Sequence, residues 1–177
     1  MYKRQAFGQA GNDTLIGGSG ADRLLGNSGN DTIQGNGGDD FIAAGNGNDN
    51  VNAGAGDDRV LGISGLNFIQ GGAGDDAIFG GSDTDVIADV SGSNTLVGSN
   101  GDDRIQGGSG DDLVFGGLGN DTIFGLGGND RIFAQGGNDF ISGGSGADVV
   151  SGNDGDDELQ GAQGNDCLLY TSPSPRD

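Results

Sequence analysis

Aspartate recurs at every ninth residue through most of this 177-residue chain. Nine-residue units counted from Gly8 to Leu169 number eighteen without an insertion, and position 6 is Asp in sixteen of them. Position 5 accepts Asn as readily as Asp, as a residue that only makes a turn hydrogen bond would. Position 6 therefore requires a carboxylate. The residues concerned are Asp13, Asp22, Asp31, Asp40, Asp49, Asp58, Asp76, Asp85, Asp103, Asp112, Asp121, Asp130, Asp139, Asp148, Asp157 and Asp166.

A repeated carboxylate beside glycine carbonyls favours a hard divalent cation with oxygen ligands. Ca²⁺ accepts six to eight oxygens in flexible geometry, whereas Mg²⁺ retains its waters. The chain has no His and one Cys, which disfavours Zn²⁺ and copper. The formal charge of −20 also calls for counter-ions. We predict that the position-6 aspartates bind Ca²⁺, with about one ion for each stacked pair of turns.

The other positions of the unit predict the elements that hold these carboxylates. Position 8 is Leu, Ile or Val in all eighteen units, and position 4 is Gly in seventeen. We predict a glycine turn at positions 1–4 and a three-residue strand at positions 7–9, with position 8 facing inward. One unit cannot bury its aliphatic side chain, but stacked units can. The predicted fold is all-β: a parallel β-roll (a β-solenoid) of 18-residue coils, with two facing parallel sheets of short strands.

Three units show the pattern most fully: GGSGADRLL (Gly17–Leu25), GGAGDDAIF (Gly71–Phe79) and GGLGNDTIF (Gly116–Phe124). They resemble the nonapeptide of the RTX (repeats-in-toxin), hemolysin-type calcium-binding proteins. The resemblance implies a β-roll with Ca²⁺ held in its turns. It further implies a secreted or cell-surface bacterial protein that leaves the cell through type I secretion machinery and folds on Ca²⁺ outside.

The same resemblance implies that each ion is shared between a unit and the unit two further on. Asp112 would then share an ion with Asp130, and Asp121 with Asp139. Two other roles stay open. The array could be a calcium-stiffened stalk of an adhesin or surface-layer protein, or the accessory array of an RTX protease, lipase or epimerase. No catalytic constellation interrupts the repeat, so we predict that this segment is not itself an enzyme.

Composition disfavours two classes of partner. An acidic chain with seven Lys and Arg residues lacks the cations that nucleic-acid phosphates require. No apolar run approaches the roughly 20 residues of a membrane span. Phe115, Phe124 and Phe133 occupy position 9 of three consecutive units. They either pack along the sheets as ladders or contact a neighbouring domain or partner.

Two units depart from the pattern at position 6, where Asn67 and Asn94 replace Asp. Both units keep an aliphatic residue at position 8, so we predict that the roll continues there while the local ions weaken or vanish. Asp83 replaces the position-4 glycine of a third unit and is expected to disturb its turn. These changes predict that the middle of the array is its weak point.

The two ends of the chain do not fit the repeat. One possible coding of CLLYTSPSPRD matches a transposon-type sequencing-library adapter, and one coding of MYKRQ matches its core on the opposite strand. We therefore expect residues 1–5 and 167–177 to be adapter-derived, as in a metagenomic fragment, and residues 6–166 to be the repeat array.

Overall fold

A computed structural model describes residues 5–170 of the chain. Within this range the regular elements are nineteen β-strands, and there is no helix. The strands are β1 (Gln5–Ala10), β2 (Thr14–Gly18), β3 (Arg23–Ser28), β4 (Thr32–Gly37), β5 (Phe41–Asn46), β6 (Asn50–Ala55), β7 (Arg59–Ser64), β8 (Phe68–Ala73), β9 (Ala77–Ser82), β10 (Val86–Ala88), β11 (Thr95–Asn100), β12 (Arg104–Ser109), β13 (Leu113–Leu118), β14 (Thr122–Gly127), β15 (Arg131–Gly136), β16 (Phe140–Ser145), β17 (Val149–Asp154), β18 (Glu158–Gln163) and β19 (Cys167–Leu169).

Odd and even strands form separate sheets. The odd strands make a ten-stranded sheet and the even strands a nine-stranded sheet, each in sequence order. Strand pairing is parallel and offset by 18 residues, so Leu96 lies between Ile78 and Val114. The prediction of an all-β parallel roll with two units per coil is confirmed.

Alternation along each strand decides which positions face the core. Positions 6, 8 and 1 point inward, whereas positions 7 and 9 point toward solvent. The aliphatic column at position 8 is fully buried from Leu24 to Val150. Each such side chain contributes about 1.5–3 kcal/mol on burial. Ala44, Ala53 and Ala134, which replace glycine at position 1, are buried beside it.

The predicted strand was too short. Most strands have six residues and run from position 7 through position 3 of the next unit, so the turn contains positions 4–6 only. The strand bends at position 2 instead of ending there. The residues at this position have a left-handed backbone conformation, with a φ of 91° at Ile63 and 79° at Leu126. Strand pairing resumes at this position, as between Ser99 and Gly117.

The irregular units are accommodated. Ile69 and Leu96 are fully buried in the units that contain Asn67 and Asn94, which confirms that the roll continues. Asp83 adopts a positive φ of 75°, but its Oδ2 accepts the Gly65 N–H at 3.0 Å and strand β10 after it has only three residues, so the expected disturbance of this unit is present and local.

Aromatic residues line the outer faces. Phe115 and Phe133 stack in the ten-stranded sheet with ring centroids 5.5 Å apart. Phe124 lies in the other sheet, where the Arg104 guanidinium is 5.1 Å from the centre of its ring. Ladder packing within each sheet accounts for these contacts.

The described ends continue the roll. Gln5 begins β1, and Cys167–Leu169 form β19, with Leu168 packed against the core. Residues 1–4 and 171–177, which carry most of the predicted adapter segments, lie outside the described residues, and that assignment stays a prediction. In residues 5–170 no helix is long and apolar enough to cross a membrane.

Candidate metal centre

The position-6 side chains lie inside the roll, at the point where each turn meets the next strand. From Asp22 to Asp148 these aspartates are at most 5% exposed. Asp13, Asp157 and Asp166, in the first and last coils, are half-buried. The structure thus places all sixteen predicted residues in equivalent positions along two columns.

In each pair of position-6 residues 18 apart, Oδ1 of the later residue accepts a hydrogen bond from the N–H of the earlier one. The N–H of Asp112 donates to Oδ1 of Asp130 at 2.9 Å, and the N–H of Asp121 donates to Oδ1 of Asp139 at 2.7 Å. The same bond joins each position-6 residue to the one 18 residues later. The series begins with the Asp13 N–H and ends with the Asp166 carboxylate, which accepts from Asp148. The predicted pairs are therefore adjacent, and backbone donors fix the orientation of each carboxylate.

The second oxygen points into a space with no donor. Oδ2 has no hydrogen-bond partner in the described part of the chain for most of these residues. They are Asp13, Asp31, Asp40, Asp49, Asp58, Asp76, Asp85, Asp103, Asp112, Asp121, Asp130, Asp139 and Asp148. A buried acceptor without a donor costs about 1–3 kcal/mol, and more when it is charged.

Backbone carbonyl oxygens face the same space. A Cβ on Gly98, at position 1, would contact both Oδ2 of Asp103 and the carbonyl oxygen of Gly116 in the next coil. Glycine at position 1 therefore keeps this space open. Two buried oxygens with lone pairs and no hydrogen between them form a site for a cation or a proton.

The two Asn units show what fills this space when the carboxylate is absent. Asn94 donates its Nδ2 hydrogens to the carbonyl oxygens of Gly92 and Gly107, both at 3.3 Å. Asn67 donates in the same way to the Gly65 oxygen at 3.0 Å. These amides identify the carbonyls of positions 4 and 1 as acceptors that surround the position-6 oxygen.

The electrostatics of the aspartates reflect this environment. Burial raises the pKa of Asp58, Asp85, Asp112 and Asp121 to about 7, and backbone donors and neighbouring carboxylates modify the effect. Burial raises the pKa of Asp130 to about 6. The carboxylates are therefore poorly stabilised as anions by the protein alone.

This donor set fits Ca²⁺. Each repeat with Asp at position 6 offers a carboxylate oxygen and carbonyl oxygens from positions 1 and 4, which are the hard ligands that Ca²⁺ prefers. Within residues 5–170 no three Asp, Glu or Cys side chains converge as a metal-binding group. Most ligands would accordingly come from the backbone, and a bound ion would neutralise the facing oxygens.

Asp89 is a second kind of buried carboxylate, which the sequence analysis did not single out. It occupies position 1, where most units have Gly, and it is 7% exposed with an unpartnered Oδ2. The sequence feature that could have identified it is a charged residue at a position where the other units have Gly or Ala.

Comparison with known families agrees with this geometry. The model of the RTX calcium-binding nonapeptide repeat (4 copies) matches residues 5–33, 25–60, 52–87, 90–123, 115–150 and 133–168. A comparison with curated proteins gave no match.

Proposed function

Because the chain belongs to the RTX calcium-binding nonapeptide-repeat family, we propose that its position-6 aspartates bind Ca²⁺ and that this binding drives folding of the roll. The segment is a structural calcium-binding repeat module. The observation that supports the proposal is the column of buried Oδ2 atoms facing carbonyl oxygens without a donor.

The energetics make folding conditional on the ion. Without a cation, each repeat that has Asp at position 6 buries a carboxylate oxygen that water had hydrated in the unfolded chain, and this cost recurs along both columns. A site whose free ligand is at 100 times its Kd adds about 2.7 kcal/mol to the free energy of unfolding. Several such sites convert an unstable roll into a stable one.

Calcium-dependent folding suits a protein that leaves a low-calcium compartment. We propose that the parent protein is secreted or displayed on the cell surface by type I secretion, crosses the membrane unfolded, and folds where Ca²⁺ is abundant. The net charge of −20 supports the first half of this cycle, because unscreened carboxylates oppose compaction.

A stalk is the second candidate function. Ten strands form one sheet and nine form the other with no break in sequence order, so a single core runs through all the coils. Such a rod would stiffen on binding Ca²⁺ and hold an attached domain at a distance. Small-angle scattering with and without Ca²⁺ tests this role, and a shape that remains compact and unextended in Ca²⁺ contradicts it.

Circular dichroism of the purified chain tests the main proposal. We expect a disordered spectrum in EGTA and a β-sheet spectrum in millimolar Ca²⁺, reversible on chelation. Equal concentrations of Mg²⁺ serve as the control and should produce little sheet, because Mg²⁺ dehydrates reluctantly. A spectrum that is the same in EGTA and Ca²⁺ would falsify metal-coupled folding.

A further inference from the structure

A shallow groove crosses the outer face of the ten-stranded sheet from β13 to β17. Its volume is about 740 Å³, which lies within the range of sites that hold small ligands. Of the described position-6 aspartates only Asp112 lines it, and that side chain is 2% exposed. The groove therefore belongs to the face of the sheet and is separate from the calcium turns.

The floor of the groove is apolar. Phe115 and Phe133 are register partners in β13 and β15, and their rings stack with centroids 5.5 Å apart. Leu113 lies beside them, and all three side chains remain partly exposed. Stacking of the two rings on one another thus leaves apolar surface open to a ligand.

Arg131, at the edge of this floor, has a free guanidinium. It occupies the same repeat position as Arg23, Arg59 and Arg104, whose guanidinium groups lie between 4.6 and 5.7 Å from the centre of a Phe ring. Within residues 5–170 the Arg131 guanidinium makes no ring contact, ion pair or hydrogen bond. Five N–H donors in a fixed plane are therefore available beside the two stacked rings.

The two ends of the groove carry polar groups of opposite kinds. At the turn before β13, Oδ1 of Asp111 accepts from the Asn129 side chain at 3.1 Å, and the exposed carboxylate remains an acceptor. At the far end Gln135 and Asn153 are register partners in β15 and β17. The Gln135 side chain has no hydrogen bond in the described chain, and Asn153 uses only its Oδ1, which accepts from the Ser151 hydroxyl at 2.9 Å. One end offers an acceptor and the other offers amide donors.

A neutral sugar matches this arrangement better than other ligand classes. Its C–H face suits the negative face of an aromatic ring, and each of its hydroxyl groups both donates and accepts. A wholly apolar ligand would cover Arg131 and Gln135 without supplying acceptors, which is costly. A polyanion would satisfy Arg131 but would meet Asp111 beside it, on a chain with a formal charge of −20.

We propose that this groove binds a neutral oligosaccharide. One ring lies on Phe115 and Phe133, the Arg131 guanidinium donates to its hydroxyl groups, and Gln135 contacts the next ring. Arg131 and Gln135 are four residues apart on one strand, about 13 Å at roughly 3.3 Å per residue, so the groove spans more than one sugar ring. The inference goes beyond the proposed function: Ca²⁺ folds the roll, and one sheet face of the folded roll recognises a glycan.

Saturation-transfer NMR and calorimetry on the full chain in millimolar Ca²⁺ test the proposal. The probes are short oligosaccharides of glucose, mannose, galactose and N-acetylglucosamine, with trigalacturonate as the anionic comparison. We expect at least one neutral probe to bind with a Kd of about 1 mM or below, and trigalacturonate to bind more weakly.

Two variants place the binding in the groove. Arg131→Gln changes an exposed side chain and should weaken binding about tenfold, because hydrogen bonds to a charged donor are lost. Phe133→Ala should weaken binding by about tenfold as well, because the stacked ring is removed. Arg59→Gln and Phe79→Ala are the matched controls on the same sheet, where the arginine already lies over the ring, and both should bind as the original chain does.

The outcomes separate this proposal from the calcium proposal. Absence of binding by every neutral probe overturns it, as does a preference for trigalacturonate, or unchanged binding by both Arg131→Gln and Phe133→Ala. Circular dichroism of the same samples reports folding. A chain that is equally folded in EGTA contradicts metal-coupled folding, and sugar binding by that chain still upholds the groove.

Discussion

Substitution of a single position-6 aspartate should change stability in opposite directions with and without calcium. Asp103 is suited to the test because it is 2% exposed and because the adjacent coils carry Asp85 and Asp121 at the same position. In Asp103→Asn, Oδ1 keeps the N–H of Asp85 as a donor. The new Nδ2 replaces an oxygen that has no donor in the described chain.

The size of each effect follows from the site. In chelator, the amide donates to carbonyl oxygens as Asn94 does, and it removes a buried unsatisfied acceptor that costs about 1–3 kcal/mol. The folded-to-unfolded ratio should therefore rise about 5- to 150-fold. With Ca²⁺ at 100 times its Kd, the variant loses up to about 2.7 kcal/mol for each ion that no longer binds.

Two titrations measure these effects. Trimethylamine N-oxide in EGTA populates the calcium-free roll because this osmolyte favours the burial of protein surface. Circular dichroism then gives the osmolyte concentration at which half of the chains are folded. Urea unfolding in excess Ca²⁺ gives the stability of the loaded roll. The first midpoint should move to lower osmolyte concentration and the second to lower urea concentration.

Asp102→Asn is the matched control. It makes the same substitution and the same change of charge at the preceding residue, whose exposed side chain accepts the N–H of Asn120 at 2.8 Å. Asn keeps that acceptor, so neither midpoint should move appreciably. If Asp103→Asn behaves like this control under both conditions, position 6 serves the turn only and the metal assignment is refuted.

Three further outcomes are expected. In EGTA the folded fraction should be highest near pH 4 and fall as pH rises toward 7, because burial raises the pKa of Asp112 and its equivalents from 3.8 to about 7 in the folded state only. A folded fraction that rises over this pH range would contradict the burial of these groups. Ile123→Ala should lower the free energy of unfolding in Ca²⁺ by about 2–5 kcal/mol, since this side chain is fully buried. A loss below about 1 kcal/mol in urea unfolding would argue against a continuous core. Gly119→Ala should destabilise the loaded roll by more than about 1 kcal/mol, because its φ is 127° and a Cβ would meet the carbonyl of Gly101. Gly127→Ala should change thermal unfolding little, because its φ lies outside the left-handed region and a Cβ would make only van der Waals contact with Ser145; equal effects of the two would count against the turn geometry.

Much of the fold was predictable from periodicity alone. An aliphatic residue at every position 8 requires stacking for burial, and two units per coil then give two parallel sheets. Asp at position 6 was identifiable as a ligand by contrast with the tolerant position 5. The hydrogen bond from each position-6 N–H to the carboxylate 18 residues later could not be predicted, because it depends on the distance between adjacent coils.

Strand length was less predictable, because position 2 carries residues that do not signal a left-handed conformation. Leu126 and Gln135 have φ values of 79° and 85°, although neither is a residue type that favours this region. Stacking against equivalent residues in adjacent coils imposes the conformation. The burial of Asp89 was overlooked for a related reason, since its side chain lies near Asp76 of the preceding coil.

The bonds between position-6 residues give the roll two chemically different end surfaces. Each turn donates its N–H to the coil that follows in sequence and accepts through its carboxylate from the coil before. At position 6, a coil exposed toward the N-terminal side presents open carboxylate oxygens, and one exposed toward the C-terminal side presents open N–H groups; at position 5 the bonds run the other way, as from the Asn120 N–H to Asp102. Two rolls that meet head to tail would match donors with acceptors at both positions. Head-to-tail assembly through these surfaces would add subunits in one polarity and build open filaments.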